Sequence, residues 1–430
     1  MTPFPSSSPR IIFHIDVNSA FLSWESVYRL KKDPSALDLR TIPSIVGGDQ
    51  KTRHGVVLAK SAPAKAFGIV TGEPITQALK KCPSLTCVPS RFDVYREYSE
   101  SLVRLLEEYT PDMEKFSIDE AFLDMTATIH LFGEPEAVAG RIRERVKKEL
   151  GFTVNVGIAS NKLLAKMASD FQKPDLCHTL WNHEIPSKMW PLPVSDLFLV
   201  GRSAEKKLLS LGIHTIFDLA HFDLQSLKFH LGEKYAVQIY RYANGMDDDP
   251  VEKKEPANKG YGNSTTLSRD VDDYSTAFQV LLSLCETVGT RLRRNHAMAG
   301  CVCVELKDWR FRSFSHQAML KTPTDSSTVL YENACRLLRD FWDLTPVRLI
   351  GVRATKISDE AFVQLNLFDS KRNDKLEQME KAIDSIRGKY GMDSIKRASF
   401  LKPDSIVGHF TGKEKGKAGV NLTDIDKIKE

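Results

Sequence analysis

Residues 11–18 read IIFHIDVN, and SAFLSWESVYRLKK follows at 19–32. An apolar, β-rich run that ends at an acid and passes into a helical pattern reads as a strand feeding a helix. Further along, KFSIDEAFLDMT (115–126) alternates apolar and polar residues on both sides of Asp119–Glu120. Two strands joined by a tight acidic turn have that pattern. TVNVGIA (153–159) reads as another strand and NKLLAKMASDF (161–171) as the helix after it. An amphipathic helix over 92–109, stopped before Pro111, and a charge-rich helix over 134–149 complete the region. Strands alternating with helices predict an α+β sheet domain built from 1–25 and 92–173. Residues 26–91 then read as an insertion, with short strands around the basic turn DQKTRHG (49–55) and a helix start at 62–67 closed by Gly68.

After Pro174 the character changes. Residues 174–246, including LVGRSAEKKLLSLGIHTIFDLA (199–220), are compact and helical, and the charged, Pro- and Gly-bearing stretch 247–260 reads as a linker. Strands (MAGCVCVEL, RLIGVRA) and helices mix again over 261–357, and 358–430 reads as a tail with one charged helix. A chain of 430 residues, 42% hydrophobic and 27% charged, suits a soluble protein of several domains. The net charge of +4 permits a nucleic-acid partner without demanding one. Seven cysteines without CxxC pairs predict reduced thiols in a cytoplasmic protein, with Cys301 and Cys303 on one face of a strand. The start, MTPFPSSSPR, has no apolar signal core, and no run of about 18 apolar residues follows, so neither secretion nor membrane spanning is expected.

Asp16, Asp119 and Glu120 are the residues with chemical potential. Hard divalent cations take carboxylate oxygens, and like charges packed together are costly unless a cation neutralises them. On spacing alone the plainer reading is a helix cap and a solvated turn.

Resemblance changes that reading. FHIDVNSAFLSWE (13–25), SIDEAFLDMT (117–126) and NVGIASNKLLAKMASDFQKP (155–174) resemble, in this order and at these separations, the three signature blocks of Y-family translesion DNA polymerases of the DinB/UmuC group. The resemblance implies a right-hand polymerase with palm, small fingers, helix–hairpin–helix thumb and a C-terminal little finger. It implies low-fidelity, template-directed synthesis on damaged DNA by two-metal-ion nucleotidyl transfer. Asp16, Asp119 and Glu120 match the family's acids for two Mg²⁺ ions, and the Val17 carbonyl would be a further ligand. Phe21 falls at the steric gate, an aromatic ring that rejects the 2′-hydroxyl of ribonucleotides. Lys65 and Lys173, with Lys60 behind them, would meet the triphosphate of the deoxynucleotide. Three departures stand out. Ala20 replaces the first of two consecutive aromatics, and Ala62 and Lys65 stand where DinB-like members often have Tyr and Arg. That pair looks closer to the UmuC-like pattern.

LVGRSAEKKLLSLGI (199–213) resembles a helix–hairpin–helix, with Leu199 in place of the usual first Gly and Gly201 retained. Lys206 and Lys207 are the expected phosphate contacts there. Residues 261–353 resemble the little finger, whose Arg291, Arg293, Arg294, Lys307, Arg310 and Arg312 would hold primer–template DNA through phosphates. Gln364, Leu365, Leu367 and Phe368, in QLNLF (364–368), resemble the peptide by which bacterial polymerases dock on the sliding clamp. A monomer acting in the cytoplasm is expected. Two other readings compete: a silent polymerase-like adaptor, and another two-metal enzyme on the same palm. The intact acids argue against the first, and Phe21, the hairpin and the clamp peptide against the second.

Overall fold

A computed structural model of the chain describes residues 10–48, 55–253, 258–359, 370–391 and 394–401. The described chain divides into two compact units, the first ending in the linker stretch and the second beginning just before residue 258.

The opening apolar run forms β1 (Ile12–Val17), with all six residues buried. Ser19, with a left-handed φ of 47°, then turns the chain into α1 (Ala20–Lys32). A strand buried on both faces belongs in the middle of a covered sheet. β1 is the central strand of five in the order β5-β6-β1-β7-β8. α1 runs straight through the expected domain boundary at 25/26, so the insertion begins later than predicted. It consists of β2 (Ser44–Gly47), β3 (Val57–Lys60), α2 (Ala62–Ala66), α3 (Ile75–Lys81) and β4 (Thr86–Pro89), with strand order β3-β2-β4. Ile45, Val57, Ala64, Ile69, Ile75 and Ala78 anchor its own small core. Most of the basic turn at 49–55 lies outside the described residues.

The chain returns through α4 (Phe92–Leu106), whose apolar face meets α1. β5 (Met113–Lys115) and β6 (Glu120–Asp124) are the hairpin expected around the acidic turn. α5 (Ile129–Phe132) and α6 (Pro135–Arg145) follow, then β7 (Val154–Ala159) beside β1. α7 (Lys162–Asp170), capped by the Asn161 side chain, lies against β7 so closely that a Cβ on Gly157 would sit 1.9 Å from the Ala165 carbonyl oxygen. Glycine is required by that approach. β8 (Cys177–Leu180) pairs parallel with β7, so the sheet domain extends past 173 and the expected thumb start at 174 is too early.

Four helices follow: α8 (Arg202–Ser210), α9 (Ile216–His221), α10 (Leu224–Leu231) and α11 (Glu233–Ala243). They share one apolar core with α7 and β8. Leu199, at the hairpin position where glycine is usual, keeps a left-handed φ of 73°, and its carbonyl accepts the Tyr235 hydroxyl at 2.9 Å. The linker begins docked rather than free: Asp247 accepts from Leu163 N at 3.1 Å, and Glu252 N donates to Glu114 at 2.9 Å.

The second unit holds β9 (Gly260–Val271), α12 (Tyr274–Arg294), β10 (Ala297–Asp308), β11 (Ser313–Thr324), α13 (Ser327–Phe341) and β12 (Val347–Asp359). The sheet is antiparallel in the order β11-β10-β12-β9, with α12 and α13 packed on one face. Cys301 and Cys303 stand at alternate positions of β10, and all seven cysteines are free thiols. The expected tail is corrected here. α14 (Ser370–Tyr390) docks on α12 through Arg293–Glu380 (2.9 Å), Arg293–Asp384 (2.6 Å) and Arg387–Glu286 (3.0 Å), and Phe400 enters the unit's core. Among the described residues, no helix is long and apolar enough to cross a membrane.

Candidate active site

Strand pairing, not sequence proximity, assembles the acids. β1 and β6 run antiparallel with Asp16 opposite Glu120, and Val17 N donates to the Asp119 carbonyl at 3.1 Å. Asp16 is 8% exposed, and Asp119 accepts from the Ser117 hydroxyl at 2.7 Å.

The carboxyls are not equivalent. Burial drives the Asp16 pKa up despite Lys173 beside it, and Glu120 adds to the rise. Burial pushes Asp119 up to about 6, helped by Glu120 and Asp16 against the Ser117 hydrogen bond. Glu120 goes the other way: burial alone would raise it, but His14 and Lys166 hold it at about 2. His14 Nε2 lies 3.6 Å from Glu120, past hydrogen-bond reach, and burial lowers the imidazole's own pKa. Lys166 Nζ, at 2.9 Å, is therefore the firm partner. Its ammonium also faces the rings of Phe116 and Phe198, at 5.8 and 5.5 Å from their centroids.

Lys173 Nζ sits 2.6 Å from Asp16 Oδ2 and 2.7 Å from Asp170 Oδ1. Burial opposes its charge, but those two acids carry its pKa above the ordinary lysine value. Two buried amides place it. Asn18 Oδ1 accepts from Thr153 Oγ1 and Asp175 N, both at 2.9 Å, and Asn18 Nδ2 donates to Asn155 Oδ1 at 3.0 Å. Asn155 Nδ2 donates to the Ser169 and Gln172 carbonyls at 3.1 and 2.6 Å. Sequence reasoning passed over Lys166, Asn18 and Asn155, although all three stand inside the quoted blocks. The available signal was an amide at the end of each of two strands with apolar neighbours, where unpaired polar groups are costly.

Phe21 opens α1, half-buried, with its ring stacked on Tyr95 (5.1 Å, 15°) and edge-on to Phe92 (5.5 Å). Lys65 on α2 is exposed, and Lys60 reaches Thr71 at 3.3 Å. Burial and the neighbouring Lys65 charge lower the Lys60 pKa.

With this geometry in view, the likeness to known proteins is decisive. The impB/mucB/samB family profile matches residues 15–170, its C-terminal domain profile matches 258–367, and a profile described as the DNA polymerase-iota thumb domain matches 195–247. DNA polymerase IV of Clostridium acetobutylicum is 45% identical over 395 residues, covering 92% of this chain and 99% of the relative. The chain belongs to the Y-family DNA polymerases of the DinB type. DNA polymerase IV 1 of Bacillus subtilis is 37% identical over 398 residues, covering 92% and 94% of the two chains. A solved Y-family polymerase chimera matches with a TM-score of 0.70 at 24% identity, covering 81% of this chain and all of that one, which shows the fold. These relatives weigh against the UmuC-like lean suggested by Ala62 and Lys65.

Membership makes this Y-family chain a translesion DNA-directed DNA polymerase with the right-hand fold, acting on DNA and nucleotides. Divalent-metal dependence and two-metal chemistry are general in that family. The acids fit such a requirement. Their donors are hard oxygens, and burial raises the pKa of two of the three carboxyls, Asp16 and Asp119, with the neighbouring acids adding to the rise. Among the described residues, no three His, Cys, Asp or Glu side chains converge as a ready metal cage, and Lys173 and Lys166 each pair with one of the acids.

The expected DNA contacts divide. Gly201, Lys206 and Lys207 lie exposed at the start of and along α8, and Arg294 is exposed at the end of α12. Arg310 and Arg312 are exposed at the β10–β11 turn, Arg310 over the Trp309 ring (4.6 Å) and Arg312 paired with Asp308 (2.7 Å). Lys307 is partly exposed at the end of β10. Arg291 donates to the Gly262 carbonyl at 2.9 Å. Arg293 is a correction: its side chain is 8% exposed and bound to Glu380 and Asp384, so it serves the fold and not phosphate. Gln364, Leu365, Leu367 and Phe368 lie outside the described residues.

Proposed function

We propose that Asp16, Asp119 and Glu120, with the Val17 carbonyl, hold two Mg²⁺ ions between a primer terminus and a deoxynucleoside triphosphate. The observation that carries this reading is the Asp16–Glu120 register on β1 and β6, with Asp119 one residue away, and with burial disfavouring free negative charge on Asp16 and Asp119. When bound, the ions supply Lewis acidity to the attacking 3′-hydroxyl and to the phosphates. The new bond joins the 3′-oxygen to the α-phosphorus, and the bond to the departing pyrophosphate breaks.

The chain's own groups do the rest. Lys173 neutralises Asp16 before substrate arrives and, once the acid is engaged elsewhere, turns its ammonium to the triphosphate. Lys65 and Lys60 supply further positive charge on the fingers side. Phe21 packs against C2′ of the sugar and leaves no room for a ribose hydroxyl. Lys166 keeps Glu120 ionised without occupying Asp119.

The same reading assigns palm to 10–32 and 92–180, fingers to 33–91, thumb to 195–247, and little finger from 258 through α14. It gives phosphate contacts to Lys206, Lys207, Arg294, Arg310 and Arg312, clamp docking to 364–368, and action as a monomer in the cytoplasm.

Calorimetric titration of Mg²⁺ into the protein bound to primer–template and a non-hydrolysable deoxynucleotide tests the metal assignment. Two binding events are expected for the wild type, and Asp16→Ala and Glu120→Ala should lose at least one. Unaltered titration curves in both variants would overturn the assignment.

A further inference from the structure

Glu25 is the single acid of the first helix, and the proposed chemistry makes no use of it. Its side chain is fully out of solvent. Arg29 Nε lies 2.7 Å from Oε1, Arg91 Nε lies 3.5 Å from the same oxygen, and the Tyr95 hydroxyl donates to Oε2 at 3.1 Å. A carboxylate in such a place is costly unless its oxygens are matched, and here both are. Burial and the Glu25 charge raise the Tyr95 pKa far above its ordinary value, so the hydroxyl keeps its proton and donates.

Geometry links this anchor to Phe21. Phe21 and Glu25 stand four residues apart on α1, and Arg91 and Tyr95 four apart at the start of α4, so each pair shares a helix face. The Tyr95 ring closes the figure: its hydroxyl end is held by Glu25, while its face stacks on Phe21 at 5.1 Å and 15°. Phe92 (5.5 Å) and Trp24 (6.0 Å) touch Phe21 at steeper angles, so Tyr95 is its parallel backing. An aromatic gate rejects an extra hydroxyl only as firmly as its ring resists displacement. A half-buried phenylalanine gains that resistance from what stands behind it.

We propose that Glu25 is a positioning residue for sugar selection, fixing Tyr95 and through it the ring of Phe21. The inference rests on Phe21 acting as the sugar gate. A merely structural Glu25 would lower incorporation of both sugars together, whereas a positioning Glu25 lowers the ratio between them.

The test is single-nucleotide incorporation of dCTP and CTP opposite template guanine, comparing kcat/KM ratios in wild type, Phe21→Ala, Tyr95→Phe, Glu25→Ala and Glu25→Gln. Phe21→Ala should reduce the deoxy-over-ribo ratio on the order of a hundredfold, because it removes the ring. Tyr95→Phe keeps the ring and loses the hydroxyl, and should reduce the ratio about fivefold, the weight of one hydrogen bond. Glu25→Ala should match or exceed that loss, and Glu25→Gln, which still offers an acceptor, should restore most of the ratio. Should Glu25→Ala fail to fold, Tyr95→Phe still decides the matter. A ratio that collapses in Phe21→Ala but is unchanged in Tyr95→Phe overturns the positioning role alone. A ratio unchanged in Phe21→Ala overturns the gate, and this inference with it.

Discussion

At the scale of single residues, proton competition at the acids is open to measurement. Asp119 has a folded pKa of about 6 against 3.8 for the free group. A raised carboxyl adds stability below the unfolded pKa and loses that contribution as pH rises through the folded one. Two pKa units correspond to at most about 3 kcal/mol, and partial exposure of the turn reduces this. In chelator, Asp119→Asn should therefore stabilise the first unit by about 2 kcal/mol at pH 7 and hardly at all at pH 4. Denaturant melts at the two pH values check it, and a gain of equal size at both would contradict the burial argument. Glu120 has the opposite sign, since its pKa is depressed from 4.5 to about 2 and its contribution is lost as pH falls through that range. Lys166→Met leaves Glu120 buried without its cation and should cost about 3 kcal/mol of stability, read by the same melts. Phe21 and the three acids were legible from the sequence through the signature blocks. The lysine that partners Glu120 was not, because the pairing of Lys166 with Glu120 exists only once α7 is laid across β7.

At the scale of elements, the strand that carries Asp16 and the hairpin that carries Asp119 and Glu120 followed from periodicity, because alternation and a turn are local signals. What periodicity could not supply was partner choice. β8 joins the five-stranded sheet through a parallel pairing with β7, beyond the expected end of the palm. The charged helix falls in the expected tail, outside the little finger, because its partners are more than eighty residues away in sequence, on α12. Arg293 reads as a phosphate contact in the sequence for the same reason, its acid partners Glu380 and Asp384 being equally distant. Arg293→Ala should destabilise the second unit by about 3 kcal/mol or more while leaving the salt dependence of DNA binding unchanged. Arg294→Ala should do the reverse, lowering the slope of log affinity against log salt by about one. Denaturant melts and DNA titrations across salt separate the two roles, and exchanged phenotypes would contradict this reading of α14.

At the scale of the whole molecule, the fingers are a three-stranded sheet with two short helices around a core of few residues. So small a cover gives little means of rejecting a mispair by shape, and it admits a distorted template base. A small grip also releases DNA readily, so tethering to a clamp raises the effective concentration at the primer end. Replacing Gln364, Leu367 and Phe368 with alanine should shorten products when clamp is loaded and leave clamp-free extension as it was. Equal shortening without clamp would place those residues in folding or DNA binding. The central claim is that Asp119, beside the Asp16–Glu120 pair, is indispensable to metal-dependent synthesis across damage. The most direct test is primer extension with Mg²⁺ and four deoxynucleotides, on undamaged and abasic templates, for wild type and Asp119→Ala. The account predicts extension on both templates by the wild type and a loss of about a thousandfold or more in the variant. Extension by Asp119→Ala at the wild-type rate, or none by well-folded wild-type protein with clamp loaded, would contradict it.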